Sequence, residues 1–132
     1  LKGKGEGKFA DAYMFETGTN RWREFAKWPP AGDRRTMYLS ENGALRTAPP
    51  QAAEAFDEYL SDPNKPVPYV GYTASGMTRD YMTEDQRFAA ARPDVLVYET
   101  EPLAEDLTVA GPIQVSLHVS TTGTDSDFVV KV

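Results

Sequence analysis

His118 is the only histidine among 132 residues, and so the one imidazole that could act as a general base. That chemistry needs a hydroxyl to activate and a carboxylate to orient the ring. His118 alternates with Ser116 and Ser120 along Ile113-Gln114-Val115-Ser116-Leu117-His118-Val119-Ser120, so a nucleophile and a carboxylate would have to be brought from elsewhere. Ser75, in Thr73-Ala74-Ser75-Gly76, lacks the glycine two residues upstream that relieves crowding at a nucleophile elbow and reads as a loop residue. Asp125-Ser126-Asp127 spaces two carboxylates for oxygen ligation, but a calcium ion takes about six to eight oxygens. The favoured reading is that one of these aspartates accepts backbone N–H groups in a turn. No cofactor or metal is expected.

Two further groups of residues suit recognition rather than catalysis. Asp85, Arg87, Arg92 and Asp94 cluster at an expected helix-to-strand corner, where a planar guanidinium can hold a carboxylate by two parallel hydrogen bonds. Such pairs either grip a neighbouring domain or pin their own loop. Tyr13, Phe15, Trp22, Phe25 and Trp28 form an early aromatic set. Such rings fill small cores and interfaces, and they also stack on sugars; Trp28, beside two prolines, is the one expected to be exposed at an interface.

The elements that must carry these residues are short. Ala12–Glu16 and Arg21–Phe25 flank the polar, glycine-bearing stretch Thr17-Gly18-Thr19-Asn20, the pattern of an antiparallel hairpin with a four-residue loop. The two-residue period places Tyr13 and Phe15 on one face and sets Trp22 opposite in direction to Arg21 and Arg23. Pro29 and Pro30 then end regular pairing. Thr36–Leu39 and Ala44–Arg46 read as strands joined at Asn42-Gly43, which tolerates positive backbone angles. Gln51–Phe56 suits either one helical turn or an extended segment, and Asp62–Pro68 reads as an ordered surface crossing. Thr83 with Gln86 has capping-box spacing for a short helix that must end by Arg92, before Pro93. Asp94–Glu99 reads as a strand. Ile113, Val115, Leu117 and Val119 are expected to face a core, and Phe128–Val132 reads as a strand with no turn residue to close it. Short antiparallel strands with long loops imply an all-β fold, a jelly-roll-like two-sheet sandwich that is incomplete.

Composition narrows the partners. Fourteen basic against twenty acidic residues give a net charge of -6, and no basic block offers the phosphate-neutralising surface that nucleic acid requires. The absence of cysteine removes disulfide and thiolate chemistry. No apolar run approaches the roughly 20 residues that cross a bilayer, so neither nucleic acid nor membrane is an expected partner.

Read in order, Glu16-Thr17-Gly18-x-Asn20-x-Trp22, Trp28-Pro29-Pro30, Tyr38-Leu39, Asp62-Pro63-x-x-Pro66-Val67-Pro68, Asp85-Gln86-Arg87, Arg92-Pro93-Asp94-Val95-Leu96-Val97-Tyr98, Glu105-Asp106-Leu107-Thr108-Val109-x-Gly111-Pro112 and Thr124-Asp125-x-Asp127-Phe128 closely resemble one serine hydrolase family. It is the family of cocaine esterase, α-amino acid ester hydrolases, glutaryl-7-aminocephalosporanic acid acylases and X-Pro dipeptidyl peptidases. The resemblance implies a jelly-roll domain that follows and packs against an α/β-hydrolase domain carrying a Ser-Asp-His triad. It assigns residues 1–8 to the tail of the last hydrolase-domain helix and a linker, and residues 9–132 to the first part of the jelly roll. No triad member has a counterpart here, and His118 does not match the triad histidine.

The expected role is therefore a non-catalytic accessory segment of a serine hydrolase. Trp28, Tyr69, Tyr72, Asp85, Arg87, Arg92 and Asp94 are its candidate interdomain or cleft-wall residues. Its expected partners are the hydrolase domain and the remaining jelly-roll strands, with self-association through unpaired edges a further expectation. Two other readings stand beside it. A free-standing carbohydrate- or ligand-binding sandwich would show a concave face of exposed parallel aromatics, and burial of Trp22 and Phe15 would weaken that reading. An independent hydrolase would need a serine and a carboxylate within reach of His118.

Overall fold

Aromatic and polar residues that alternate on both sides of a glycine-bearing loop build the expected hairpin. In the computed structural model, β1 (Ala12–Glu16) pairs antiparallel with β2 (Arg21–Phe25), in a register running from Ala12↔Phe25 to Glu16↔Arg21. The structure describes residues 7–52 and 54–132; residues 1–6 of the expected helix tail and linker lie outside them, as does Ala53. Asn20 closes the loop at φ 53°, a left-handed angle that asparagine tolerates better than most residues. Glu16 ties the hairpin end, accepting from Thr19 Oγ1 at 2.7 Å and pairing with Arg23 Nε at 2.5 Å.

This hairpin belongs to one of two units, formed by Leu1–Asp33 with Leu107–Val132; the other is Arg34–Asp106. In the first unit, Trp28 donates its backbone N–H to Asp11 Oδ2 at 2.6 Å and sets its ring edge-on to Phe25 at 5.5 Å. Gly111, at φ 101°, comes so close to Pro29 that an added Cβ would lie 3.2 Å from it. The alternating segment 113–120 and the terminal 128–132 form no ladder with any described residue. Ile113 and Val119 are 58% and 56% exposed, which corrects the expectation that this row faces a core. Alternation specifies which side chains share a face, but burial needs a second layer, and none of the described residues supplies it. The turn before the last segment is also corrected: Thr121 Oγ1, rather than Asp125 or Asp127, accepts a backbone N–H, from Gly123 at 3.1 Å.

In the second unit β3 (Tyr38–Ser40) and β4 (Ala44–Arg46) form an antiparallel pair, with Leu39 opposite Leu45. The first strand begins two residues later than expected. Asn42 and Gly43 turn the chain at φ 60° and 69°. Of the strand expected over 94–99 only Glu99 pairs, in a parallel bridge to Ala44: Leu45 N–H donates to Glu99 O at 2.7 Å and Glu99 N–H to Gly43 O at 2.8 Å. No helix forms among the described residues of Gln51–Phe56. The short helix α1 spans Arg87–Ala90 and ends before Pro93, as expected.

The capping box does not form. A tight 3-10 turn at Arg79–Met82 precedes the helix and takes Thr83, whose hydroxyl donates to Asp80 O at 3.2 Å, while Gln86 Nε2 donates to Glu84 O at 2.8 Å. The N-cap is Gln86, with no side-chain cap bond, and Asp85 just before it accepts the Arg87 N–H at 2.9 Å. Among the described residues the buried ones are few: Val70, Ala89 and Ser40.

The fold class is thus all-β, with antiparallel hairpins and, among the described residues, three short helical turns, consistent with an incomplete sandwich. Large apolar side chains stay open among the described residues of both units, Phe9 at 91% in the first and Leu60 at 83% in the second. No helix among the described residues is long and apolar enough to cross a membrane.

Candidate functional site

The helix-to-strand corner assembles as two separate ion pairs. Arg92 embraces Asp94 with both arms of its guanidinium, Nε to Oδ1 at 2.7 Å and Nη2 to Oδ2 at 2.6 Å, and Nη2 also reaches Lys65 O at 2.9 Å. That third bond crosses from the corner to the proline-rich segment, whose own turn is closed by Lys65 N–H to Asp62 O at 2.9 Å. Arg92 therefore pins its own loops. Asp85 and Arg87 pair two residues apart, with Nε to Oδ2 at 2.7 Å, and Arg87 is 91% exposed in its side chain against 29% for Arg92. Hydrogen bonds from Arg87 and Arg92 hold the carboxyls of Asp85 and Asp94, respectively, below the usual carboxylate range. Exposed pairs of this kind add little stability; Arg87 is the more open arm of the corner.

The tyrosines expected to wall a cleft fold their own loop. Tyr69 donates its hydroxyl to Gly76 O at 2.6 Å and meets Tyr81 edge-on at 6.4 Å, while Tyr72 reaches Asp80 Oδ2 at 3.3 Å. Helix α1 packs behind this loop, where a Cβ on Gly71 would stand 3.1 Å from the Phe88 ring. Tyr69 and Tyr72 keep 39% and 47% of their surface open, so each anchors the loop while presenting an edge outward.

Sequence reasoning missed the Tyr98–Asp57 contact. The Tyr98 hydroxyl donates to Asp57 Oδ2 at 2.5 Å, across 41 positions that no local pattern connects. Desolvation, followed by the hydrogen bond and the carboxylate charge, pushes the phenol up to about 12. Its protonated form is thus favoured more in the fold than in the unfolded chain, where tyrosine titrates near ~10. The stability this linkage supplies is complete below about pH 10 and lost as pH rises through about pH 12. Tyr98→Phe is expected to flatten that alkaline loss, read as the difference in thermal midpoint from the parent protein across the window; an unchanged slope would contradict the assignment.

In the other unit the aromatic set divides between the hairpin faces. Tyr13 and Trp22 stack at 4.9 Å and 13°, and Phe15 meets Trp22 edge-on at 5.4 Å. Their face is open: Trp22 is 59% exposed and Tyr13 58%. Trp28, expected to be the exposed tryptophan, is half-buried against Phe25. The more exposed tryptophan is Trp22, while Trp28 is tied by its backbone N–H to Asp11 and packs edge-on to Phe25. His118, Ser75, Asp125 and Asp127 are all exposed; neither a serine hydroxyl nor a carboxylate hydrogen-bonds His118 among the described residues. No group of three or more His, Cys, Asp or Glu among the described residues could hold a metal ion.

These features define an all-β segment with ordered loops and open aromatic and apolar faces. Residues 10–132 match the family of the X-Pro dipeptidyl-peptidase C-terminal non-catalytic domain, and the chain belongs to that family. It is 35% identical over 127 residues to cocaine esterase from Rhodococcus sp. (strain MB1 Bresler), a match covering 89% of this chain and 22% of that enzyme. The crystal structure of an aminopeptidase from a marine sediment Thaumarchaeota archaeon superposes with a TM-score of 0.66 at 40% identity, covering 77% of this chain and 18% of that one. A selenomethionine-labelled α-amino acid ester hydrolase superposes equally well, with a TM-score of 0.66 at 40% identity, covering 75% and 18%. The chain spans about one-fifth of the length of these relatives.

Proposed function

We propose that this chain is the accessory β-sandwich segment of a serine hydrolase that cleaves acyl esters or amides, and that it supplies architecture to a catalytic centre on other polypeptide. The observation that carries this reading is the match of residues 10–132 to a non-catalytic domain. The relatives' names, an esterase, an aminopeptidase and an amino acid ester hydrolase, have in common attack on an acyl carbon. In such chemistry a serine attacks, a histidine carries the proton and backbone amides hold the oxyanion. Residues 1–8 are then the tail of the hydrolase domain and its linker, and residues 9–132 the first part of the jelly roll.

The partners proposed are the α/β-hydrolase domain and the remaining jelly-roll strands. The open row Ile113, Val115, Leu117 and Val119 supports them, because exposed apolar surface is favourable to cover. The same open edges would let isolated copies associate. Within the interface, Trp28 buttresses the hairpin end, Tyr69 and Tyr72 stiffen a loop that walls the cleft, and Arg92–Asp94 fixes the corner from which Asp85 and Arg87 reach the neighbouring domain.

The aromatic face of the hairpin favours a second reading, a free-standing sugar- or ligand-binding module, since Tyr13, Phe15 and Trp22 are exposed. Their packing argues for a protein partner instead. Tyr13 and Trp22 spend a ring face on each other, which makes a continuous apolar plate rather than separate open platforms for sugar rings. An aryl-ester assay separates the readings: turnover by the whole protein and none by residues 1–132 is expected, whereas turnover by the isolated segment would overturn the accessory role.

A further inference from the structure

The turn that joins β3 to β4 carries a chemical liability placed where it controls a tertiary contact. Asparagine side chains can be attacked by the amide nitrogen of the next residue, and the attack is fastest when that residue is glycine, which has no side chain to crowd the approach. The sequence has three asparagines, Asn20, Asn42 and Asn64, followed by Arg21, Gly43 and Lys65. Asn42 is exposed. It alone has the unhindered neighbour.

We infer that Asn42 is a site of spontaneous modification to isoaspartate, and that its conversion releases residues 95–99 from the β3–β4 hairpin. The chemistry balances with water alone. Hydroxide removes the Gly43 amide proton, and the nitrogen forms a bond to Asn42 Cγ. The Cγ–Nδ2 bond breaks and ammonia leaves with a proton from solvent. Water then opens the five-membered imide. Attack at Cγ gives aspartate; attack at the main-chain carbonyl carbon gives isoaspartate, in which the backbone runs through the side chain and gains one methylene.

The native turn restrains the first step. Ring closure requires the Gly43 nitrogen to eclipse Cβ of Asn42, and the turn holds ψ at 33°, with the Ala44 N–H bonded to Glu41 O. The reaction therefore waits on local opening. Once formed, isoaspartate cannot keep the original path. Gly43 O accepts from Glu99 at 2.8 Å, Leu45 N–H donates to Glu99 O at 2.7 Å, and a Cβ on Gly43 would lie 2.8 Å from Val97 O, so there is no slack for an added methylene.

The test is to age the whole protein carrying this chain in mildly alkaline buffer, with and without urea. The asparagines are then mapped by peptide mass and enzymatic isoaspartyl methylation, and hydrogen exchange is followed at Leu45 and Glu99. Isoaspartate should accumulate at Asn42 while Asn20 and Asn64, whose following residues carry side chains, stay at background, and urea should accelerate it. The aged fraction should lose protection at both amides, and Asn42→Asp, which adds the charge without lengthening the backbone, should retain it. Equal modification of the three asparagines, none at Asn42, or unchanged protection in the aged fraction would overturn the inference.

Discussion

Gly43→Ala is expected to destabilise the protein by about 2–4 kcal/mol, combining left-handed backbone strain with overlap. The angle is φ 69°, and the new Cβ would sit 2.8 Å from the carbonyl oxygen of Val97. A flexible side chain could swing away from such a contact; a backbone oxygen can move only if residues 95–99 shift. That shift would strain the two hydrogen bonds linking Glu99 to Gly43 and Leu45. Gly18→Ala is the matched control, since nothing lies within 4 Å of its added Cβ, and a change within about 0.5 kcal/mol is expected there. Urea denaturation of both variants in the whole protein provides the comparison. Equal costs would show that the turn is not constrained as described.

Trp22→Ala is expected to cost about 3–5 kcal/mol in the whole protein, the range for removing a buried tryptophan from a packed core. The figure depends on what covers the aromatic face. If Trp22 stayed as exposed as it is here, at 59%, only its ring contacts with Tyr13 and Phe15 would be lost, worth about 0.5–1.5 kcal/mol for an aromatic pair. The two outcomes differ by more than the error of a denaturation experiment. A cost of about 1 kcal/mol or less would mean the face remains open to water, as the ligand-binding reading requires. A cost at the upper range places polypeptide on it.

The hairpin was legible to the residue because three local signals agree: alternating aromatics, a polar loop with Gly18, and a tolerant Asn20 at the turn's end. The pairing of Asn42 with Gly43 marked the second turn in the same way. The helix near residue 87 was legible in place but not in its cap. Thr83 is claimed by the preceding 3-10 turn, and Asp85, two residues from the Arg87 amide it accepts, supplied a signal that the capping-box pattern overshadowed. Arg92 and Asp94 were recognisable as a possible pair, since guanidinium and carboxylate lie two positions apart, but the bond from Arg92 to Lys65 O spans 27 positions and has no local trace. Tyr98 and Asp57 were hidden for the same reason.

The row Ile113, Val115, Leu117 and Val119 shows the limit from the other direction. Its alternation announces a half-buried strand, yet these side chains are exposed. The pattern records which side chains share a face, and none of the described residues covers that face. Equally, recognition of the family rested on ordered motifs spread from Glu16 to Phe128, and it placed the triad outside the chain although no single motif did so.

The central claim is that acyl-transfer chemistry resides on polypeptide outside these residues. An organophosphonate that labels activated serines, applied to the whole protein and located by peptide mapping, tests it most directly. The account predicts one labelled serine outside residues 1–132. Stoichiometric label on Ser75, Ser116 or Ser120, lost when His118 is replaced by alanine, would contradict it.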